Sequence, residues 1–387
     1  MVFRRSGPSP VVPNRRAAAV ALLTLLVLGQ GTAACGGGES PAATSGDIQE
    51  LDVSFTSGPT TLYGTLLLPN VAPGARIPGA VILSGSGPTE RKGNSTIGGA
   101  FNTNRNIANA LGGLGVASLR FDKLGSGRTG LAGLTDPATI DFGLFVDEAQ
   151  AALALLRARP EVDPARTFLL GHSEGALITL VLADRLPPAE QPAALVLAAP
   201  PSFRYMDIIR RQVGGQAAAA AQAGQLPQAQ ADAILADLDR IISSVRETGA
   251  APTTIATPQF QPLFNPANIR FLVDVDRYDP RDLAAALPPA MPVLILRGQK
   301  DQQVSAEDVE RIAVGLRQAN NHAFEVDQPA NVNHVFKEVP GVPNPAVDYA
   351  NPDLPFSREA VAHLAAFLAR HLGVTEPAGE APPSLQG

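Results

Sequence analysis

The sequence predicts an α/β protein whose central sheet is mainly parallel and covered by helices on both faces. The first observation behind this prediction is a series of short, almost wholly apolar segments at residues 80–83, 167–170, 194–199 and 293–296, which is typical of strands buried on both faces of a sheet. The second is that segments with helical spacing of apolar residues, such as 141–159, lie between these strands. Alternation of strand and helix predicts a parallel sheet with helical crossovers.

The remaining elements of this sheet follow in chain order. Residues 48–68 alternate apolar and polar side chains around a break at residues 57–59, which predicts a β-hairpin. Further elements are expected as a strand at 116–121, a strand at 323–326, and helices at 107–114, 174–186 and 358–372.

Residues 204–282 interrupt the alternation of strand and helix. This stretch is rich in Ala, Gln and Asp and has helical spacing around 229–245, while an apolar triplet of the buried-strand kind returns only at 271–273. We predict a helical insertion between two strands of the sheet, and we expect it to form a cap over the functional site.

The two ends of the chain have the composition of targeting and linker segments. Residues 1–35 contain four arginines, then an uncharged apolar run and small residues before Cys35, which predicts an export signal. The position of Cys35 resembles the lipobox of bacterial lipoproteins, so we expect it to be lipidated, with residues 36–47 as a flexible tether. Cleavage near Ala34 and simple secretion to the periplasm or the medium is the alternative. Residues 373–387 are predicted to be disordered, which leaves 48–372 as the folded domain.

Charge and cysteine content exclude several classes of protein. The formal net charge is −6, and residues 1–35 contribute four arginines and no acid, so the exported chain is more acidic still. An acidic surface without basic clusters repels phosphate backbones, and we expect no nucleic-acid partner. Membrane contact is expected only through a lipid anchor. With Cys35 as the only cysteine, a disulfide framework or a cysteine metal cluster is not expected.

Residues 125–130 match the dinucleotide-binding pattern G-x-G-x-x-G and follow a predicted strand. That pattern requires a helix to begin at its glycines, because the helix N-terminus binds the pyrophosphate. Here residues 131–139, which include a glycine and a proline, separate the glycines from a helix that begins near Asp141. We therefore predict a loop, and we expect neither a cofactor nor a metal.

A pentapeptide of the form G-x-S-x-G, residues 171–175, carries the candidate nucleophile Ser173. It follows a predicted strand directly and opens a predicted helix directly, as a nucleophile elbow requires. The strained turn lifts the hydroxyl above the sheet edge, and the helix N-terminus offers N–H groups to a developing oxyanion.

The general base is identified by elimination among five histidines. Within the elbow, the side chain of His172 should point away from the hydroxyl of the serine. His322 begins the last strand, and His363 and His371 lie on the last helix. His334, in a loop just past the last strand, is where a base would reach the carboxyl edge of the sheet.

A carboxylate is needed to orient the base, and Asp301 is the candidate. It follows the strand at 293–296 after a glycine turn, whereas Glu307 and Asp308 on the next helix fit less well. The chain order of nucleophile, acid and base is then that of the α/β-hydrolases. Each of the three lies past the carboxyl end of its own strand, where open α/β sheets place their sites.

The oxyanion hole is expected to use two backbone N–H groups. One is that of Glu174, the residue after the nucleophile, and the other comes from the glycine-rich loop 84–88, where Ser86 or Gly87 is the candidate. Small residues in this loop let the backbone approach a substrate carbonyl.

The chain resembles the bacterial α/β-hydrolase esterases that are related to dienelactone hydrolase and to the prolyl-oligopeptidase-like hydrolases. The resemblance spans most of residues 48–372, is specific for the fold and the triad, and is much less specific for the substrate. In the esterases that the chain resembles, acidic residues flank the arginine after the oxyanion loop; here residues 89–92 keep one acid and place a lysine at the other position. The matching segments are 84–88, 120–123, 171–175, 298–301 and 333–334.

The sequence therefore predicts an esterase with a small-molecule ester substrate. A peptidase or amidase with the same triad is the first alternative, and the lack of a β-propeller domain weakens it. A surface-anchored binding lipoprotein with an inactive hydrolase fold is the second. Three lysines, Lys92, Lys123 and Lys300, lie near the carboxyl edge of the sheet. They could favour a substrate carboxylate, but local salt bridges are the expectation.

Overall fold

The computed structural model describes residues 48–70, 72, 74–95 and 99–374. The predicted export signal, Cys35, the tether and the tail beyond residue 374 lie outside the described residues. Eight strands form one sheet: β1 (Ile48–Ser57), β2 (Thr60–Pro69), β3 (Ile77–Leu83), β4 (Ala117–Asp122), β5 (Val162–His172), β6 (Leu195–Ala198), β7 (Val293–Leu296) and β8 (Phe324–Asp327).

The order of strands in the sheet is β1-β2-β4-β3-β5-β6-β7-β8. Strands β1 and β2 form the predicted antiparallel hairpin, and β2 pairs antiparallel with β4. All other neighbours are parallel. The predicted fold class, an α/β-hydrolase fold with a mainly parallel central sheet, is confirmed.

Helices cover both faces of the sheet, because successive side chains of each buried strand point to opposite sides. In β3, Val81 and Leu83 belong to one apolar core and Ala80 and Ile82 to the other. The helices are α1 (Thr103–Gly113), α2 (Phe142–Arg157), α3 (Glu174–Arg185), α4 (Tyr205–Gln222), α5 (Gln228–Thr248), α6 (Pro266–Val275), α7 (Pro280–Ala286), α8 (Ala306–Gln318), α9 (Pro345–Asp348) and α10 (Arg358–Leu372). Helices α2, α3 and α8 pack on one face, and α1 and α10 on the other.

The insertion between β6 and β7 is helical and consists of α4, α5, α6 and α7. The triplet 271–273 is part of α6, because Asn265 caps that helix and Pro266 occupies its first turn. Helices α4, α5 and α6 share an apolar core of their own, which includes Met206, Leu238 and Phe260. Within the described ranges, none of the helices combines the length and the apolarity needed to cross a bilayer.

Candidate active site

The loop after β3 and the turn after β5 meet at the carboxyl edge of the sheet. Leu83 and Gly171 are register partners at the ends of these neighbouring parallel strands. The chain leaves β3 toward β4 on one side and returns to β5 on the other, so a crevice opens between the two loops. Open α/β sheets bind ligands at such a switch point.

Ser173 lies in the tight turn between β5 and α3. Its φ of 55° and ψ of −122° are strained for a residue with a side chain, at a cost of about 1–3 kcal/mol. The turn is held by a 2.8 Å hydrogen bond from the N–H of Ser173 to the carbonyl of Ala198. A Cβ on Gly171 would lie 2.1 Å from the carbonyl oxygen of Gly175, and a Cβ on Gly175 would lie 2.3 Å from that of Leu83. Both glycines are therefore required by close backbone approach, as the pentapeptide predicts.

Asp301 and His334 form a buried hydrogen-bonded pair in which Nδ1 of the histidine and Oδ2 of the aspartate are 2.7 Å apart. The other carboxylate oxygen accepts hydrogen bonds from the N–H groups of Gln303 (2.8 Å) and Val304 (3.0 Å). Burial by itself acts to raise the pKa of Asp301. The charge and hydrogen bond of His334, with these two N–H groups, outweigh burial and hold that pKa below its usual value.

The loop that carries His334 is fixed by backbone and ring contacts. The side-chain oxygen of Asn333 accepts hydrogen bonds from the N–H groups of Val335 (3.1 Å) and Lys337 (3.0 Å). The ring of Tyr349 stacks against the imidazole of His334, with 6.2 Å between centroids and 28° between planes. These contacts restrict the orientation of the imidazole.

His172 supports His334, a role that sequence reasoning missed. Its Nε2 donates a 2.9 Å hydrogen bond to the backbone carbonyl of His334, and the two ring centroids are 4.9 Å apart. Burial, followed by the charge of the neighbouring His334, lowers the pKa of His172 to about 3. The pattern that could have indicated this contact is the position of a histidine directly before the elbow serine.

The remaining histidines lie elsewhere, as the elimination requires. His363 contacts Asp327 at 3.1 Å, and His371 contacts Glu325 at the same distance. His322 is exposed just before β8. Among the five histidines, His334 is therefore the one that forms a hydrogen bond with Asp301, and it contacts the elbow through His172.

The glycine-rich segment 125–130 is a loop, as predicted, and α2 begins only at Phe142. The loop encloses a carboxylate of this chain. The N–H of Arg128 donates to Oδ2 of Asp122 at 2.8 Å, and a Cβ on Gly127 would lie within 2.5 Å of that carboxylate. Asp122 also forms a bidentate ion pair with Arg91, in which each carboxylate oxygen accepts one N–H of the guanidinium. The backbone of this loop thus binds a carboxylate of the chain itself.

Lys123 is buried and pairs with an acid, as the local salt-bridge interpretation expects. Its Nζ lies 3.1 Å from Oε1 of Glu174 and 2.7 Å from the carbonyl of Gly85. Lys300 donates instead to the backbone carbonyl of Gly341 at 2.7 Å. Among the residues that the structure describes, no group of three or more His, Cys, Asp or Glu side chains is arranged to hold a metal ion.

The sheet, the elbow at its switch point and the buried Asp–His pair define a protein of the α/β-hydrolase fold. Comparison with known proteins agrees. A family model described as serine aminopeptidase, S33, matches residues 99–255, a segment that includes Ser173. Two solved structures share the fold over most of the chain. The esterase PF2001 from Pyrococcus furiosus has a TM-score of 0.51 and 17% identity, covering 84% of this chain and 92% of that one. The α/β hydrolase GrgF from Penicillium has a TM-score of 0.50 and 19% identity, covering 84% and 99%.

A curated relative is similar in sequence as well. Esterase EstD from Thermotoga maritima is 27% identical over 238 residues, which are 60% of this chain. The chain spans about half the length of that relative, 48%. The chain thus has the α/β-hydrolase fold and is similar to esterases of that fold.

Proposed function

We propose that this protein is a serine hydrolase that cleaves carboxylic esters through an acyl-enzyme on Ser173. The observation that carries this proposal is the buried 2.7 Å hydrogen bond between His334 and Asp301, formed beside the strained turn that presents Ser173. A base held by a carboxylate next to a nucleophile elbow is the arrangement that activates a serine hydroxyl. Similarity to esterases of this fold adds support.

The mechanism follows from these contacts. Ser173 attacks the ester carbonyl while Nε2 of His334 takes the proton of its hydroxyl. Asp301 keeps the proton of the imidazole on Nδ1 and stabilises the imidazolium that forms. His334 then protonates the leaving alcohol, and a water molecule, deprotonated by the same imidazole, releases the acid and regenerates Ser173. We expect no cofactor to be required.

The oxyanion of the tetrahedral intermediate would be bound by the N–H of Glu174 and by one N–H of the loop after β3. Proximity supports the choice of this loop, since a Cβ on Gly85 would lie 3.3 Å from Cβ of Ser173. Ser86 and Gly87 follow directly and remain the candidates for the second donor.

The helical insertion would border the substrate pocket. Tyr205, at the start of α4, packs against Phe271 of α6, and Phe271 packs against Phe145 of α2. The Phe145 ring lies 5.2 Å from Nζ of Lys123, which pairs with Glu174 beside the nucleophile. The insertion therefore reaches the edge of the crevice, and we propose that it shapes the acyl or alcohol pocket of a small ester.

A peptidase or amidase is the second candidate, and the serine aminopeptidase description of the matching family model favours it. The same triad would serve both reactions. Ester and amide differ in the leaving group, because an amine leaves less readily and needs a better placed proton donor. An inactive binding lipoprotein, the third interpretation, would not require a buried Asp–His pair.

Paired substrates with one acyl group test the proposal. We expect purified protein to hydrolyse p-nitrophenyl acetate and to cleave the matching anilide far more slowly. Ser173→Ala should remain folded and lose nearly all turnover. A folded Ser173→Ala variant that keeps a tenth of the activity would require another nucleophile, and a preferred anilide would make the protein an amidase.

We also propose that the protein is exported and held at a membrane by a diacylglyceryl group on Cys35. The motif at Ala33 to Cys35 supports this proposal. Expression in a bacterium that processes lipoproteins, followed by intact mass, tests it. We expect a chain that begins at Cys35 and carries lipid, whereas an unmodified start elsewhere would indicate simple secretion to the periplasm or the medium.

A further inference from the structure

One ammonium group joins the two backbone segments that flank Ser173. Lys123 follows β4 directly and is buried, with 5% of its surface exposed. Its Nζ donates to the carbonyl of Gly85, in the loop after β3, and to the carboxylate of Glu174, the first residue of α3. The carbonyl and the carboxylate are both hydrogen-bond acceptors and cannot bond to each other, so the ammonium of Lys123 is the donor that joins them.

These two segments are the ones from which the proposed oxyanion donors come. The carbonyl of Gly85 and the N–H of Ser86 belong to one planar trans peptide unit, so they point in opposite directions. A lysine that holds the Gly85 oxygen therefore also sets the direction of the Ser86 N–H. By holding the Glu174 side chain, the same lysine restrains the residue whose N–H is the other donor.

We propose that Lys123 is a positioning residue that aligns the two halves of the oxyanion hole, with the N–H of Ser86 as the second donor. This inference rests on the proposed function. Donors that are fixed before the reaction stabilise the oxyanion without reorganisation, and this contribution to catalysis is large in a site that excludes water.

The ion pair has a second consequence for the developing charge. Glu174 is buried, with 5% of its surface exposed, and its carboxylate accepts from the same ammonium group as the carbonyl of Gly85, next to the proposed donor Ser86. An unpaired carboxylate there would repel the oxyanion, and the charge of Lys123 offsets it. The ring of Phe145 is a further neighbour of the ammonium, at 5.2 Å from Nζ to the centroid. The ammonium of Lys123 thus contacts Gly85, Glu174 and Phe145 and is not free to bind a substrate carboxylate.

The test compares the wild type with Lys123→Met and with the double variant Lys123→Met/Glu174→Gln. The single variant leaves a buried carboxylate without its partner, which can prevent folding. The double variant removes both charges and keeps similar side-chain volumes, so it provides a folded protein to measure. Arg317→Met is the control, because it removes a cation from an exposed ion pair with Glu310 on α8.

The measurements are kcat and KM for p-nitrophenyl acetate, the rate constant of phosphonylation by a fluorophosphonate, and the melting temperature. In the double variant we expect kcat and the phosphonylation rate constant to fall together, on the order of 10- to 100-fold, with KM little changed, because oxyanion donors act in the transition state. Arg317→Met should match the wild type. A merely structural role would lower the melting temperature and leave kcat of the folded protein unchanged.

The outcomes separate this inference from the proposed function. If the wild type neither turns over the ester nor reacts with the fluorophosphonate, the proposed function fails. If the wild type reacts and the folded double variant reacts at the same rate, the role of Lys123 is overturned while the esterase proposal stands. A wild-type kcat with a raised KM overturns the role of Lys123 as well.

Discussion

His172 donates a hydrogen bond from Nε2 to the backbone carbonyl of His334, so the residue before the elbow serine holds the residue proposed as its base. The imidazole can donate from Nε2 and remain neutral because burial, followed by the charge of His334, lowers its pKa to about 3. A second positive charge 4.9 Å from the ring of His334 would oppose the imidazolium that forms during catalysis. A neutral His172 avoids this repulsion.

The lowered pKa of His172 predicts a pH-dependent stability. The unfolded chain binds a proton near pH 6.5 and the folded chain near pH 3, so the contribution of neutral His172 is complete above 6.5 and is lost as the pH falls. We expect the stability advantage of the wild type over His172→Gln to shrink by about 1.4 kcal/mol per pH unit between pH 6.5 and 4.5. Urea unfolding at several pH values measures it.

The control for this titration is His322→Gln, which removes an exposed histidine. The difference in free energy of unfolding between His322→Gln and the wild type should stay constant over the same pH range. A constant difference for His172→Gln as well would mean that His172 is protonated in the folded protein.

The raised pKa of Glu148 predicts a stability that decreases as the pH rises. Burial raises the pKa of Glu148 to about 8, although the N–H of Leu124 and the charge of Lys123 act to lower it. The folded chain therefore retains this proton between pH 4.5 and 8, so the associated stability is complete below 4.5 and is lost as the pH rises. We expect the free energy of unfolding of Glu148→Gln, relative to that of the wild type, to increase by about 1.4 kcal/mol per pH unit between pH 5 and 8.

Glu310→Gln is the matched control for Glu148→Gln. The hydrogen bond from Arg317 lowers the pKa of Glu310, so this carboxyl does not titrate between pH 5 and 8. The difference in free energy of unfolding between Glu310→Gln and the wild type should therefore not change with pH. If Glu148→Gln also gives a flat difference in urea unfolding, Glu148 is ionised in the folded protein throughout this range.

The sequence was sufficient for the elements whose pattern is local. Apolar runs and caps predict the strands and most of the helices, and the G-x-S-x-G pattern predicts the strained turn at Ser173. The triplet 271–273 was ambiguous, because three apolar residues fit a strand or a buried helix face equally well, and the cap at Asn265 decides for a helix. The two partners of Lys123 could not be predicted, since the contacts join segments that are distant in sequence. For His172 the local signal is limited to its position directly before the elbow serine, which does not identify the partner.

Replacing Asp301 by asparagine tests the acid of the proposed triad. An amide cannot stabilise the imidazolium and can hold the wrong tautomer of His334, so kcat should fall by roughly 10³- to 10⁴-fold with KM little changed. Glu307→Gln is the control, since Glu307 is exposed on α8 and pairs with Arg211.

Steady-state kinetics at saturating p-nitrophenyl acetate measure kcat of Asp301→Asn and of the wild type. A variant that keeps more than a tenth of the wild-type kcat would show that Asp301 does not orient the base.

Covalent labelling tests whether Ser173 is activated by His334. A fluorophosphonate reacts with an activated serine because the phosphonyl oxygen occupies the oxyanion hole, and an ordinary surface serine does not react. Peptide mass mapping should find one label per chain, on the peptide that contains Ser173, and no label in His334→Ala. A properly folded wild type that takes up no label, or that is labelled at another residue, would show that Ser173 is not the activated nucleophile.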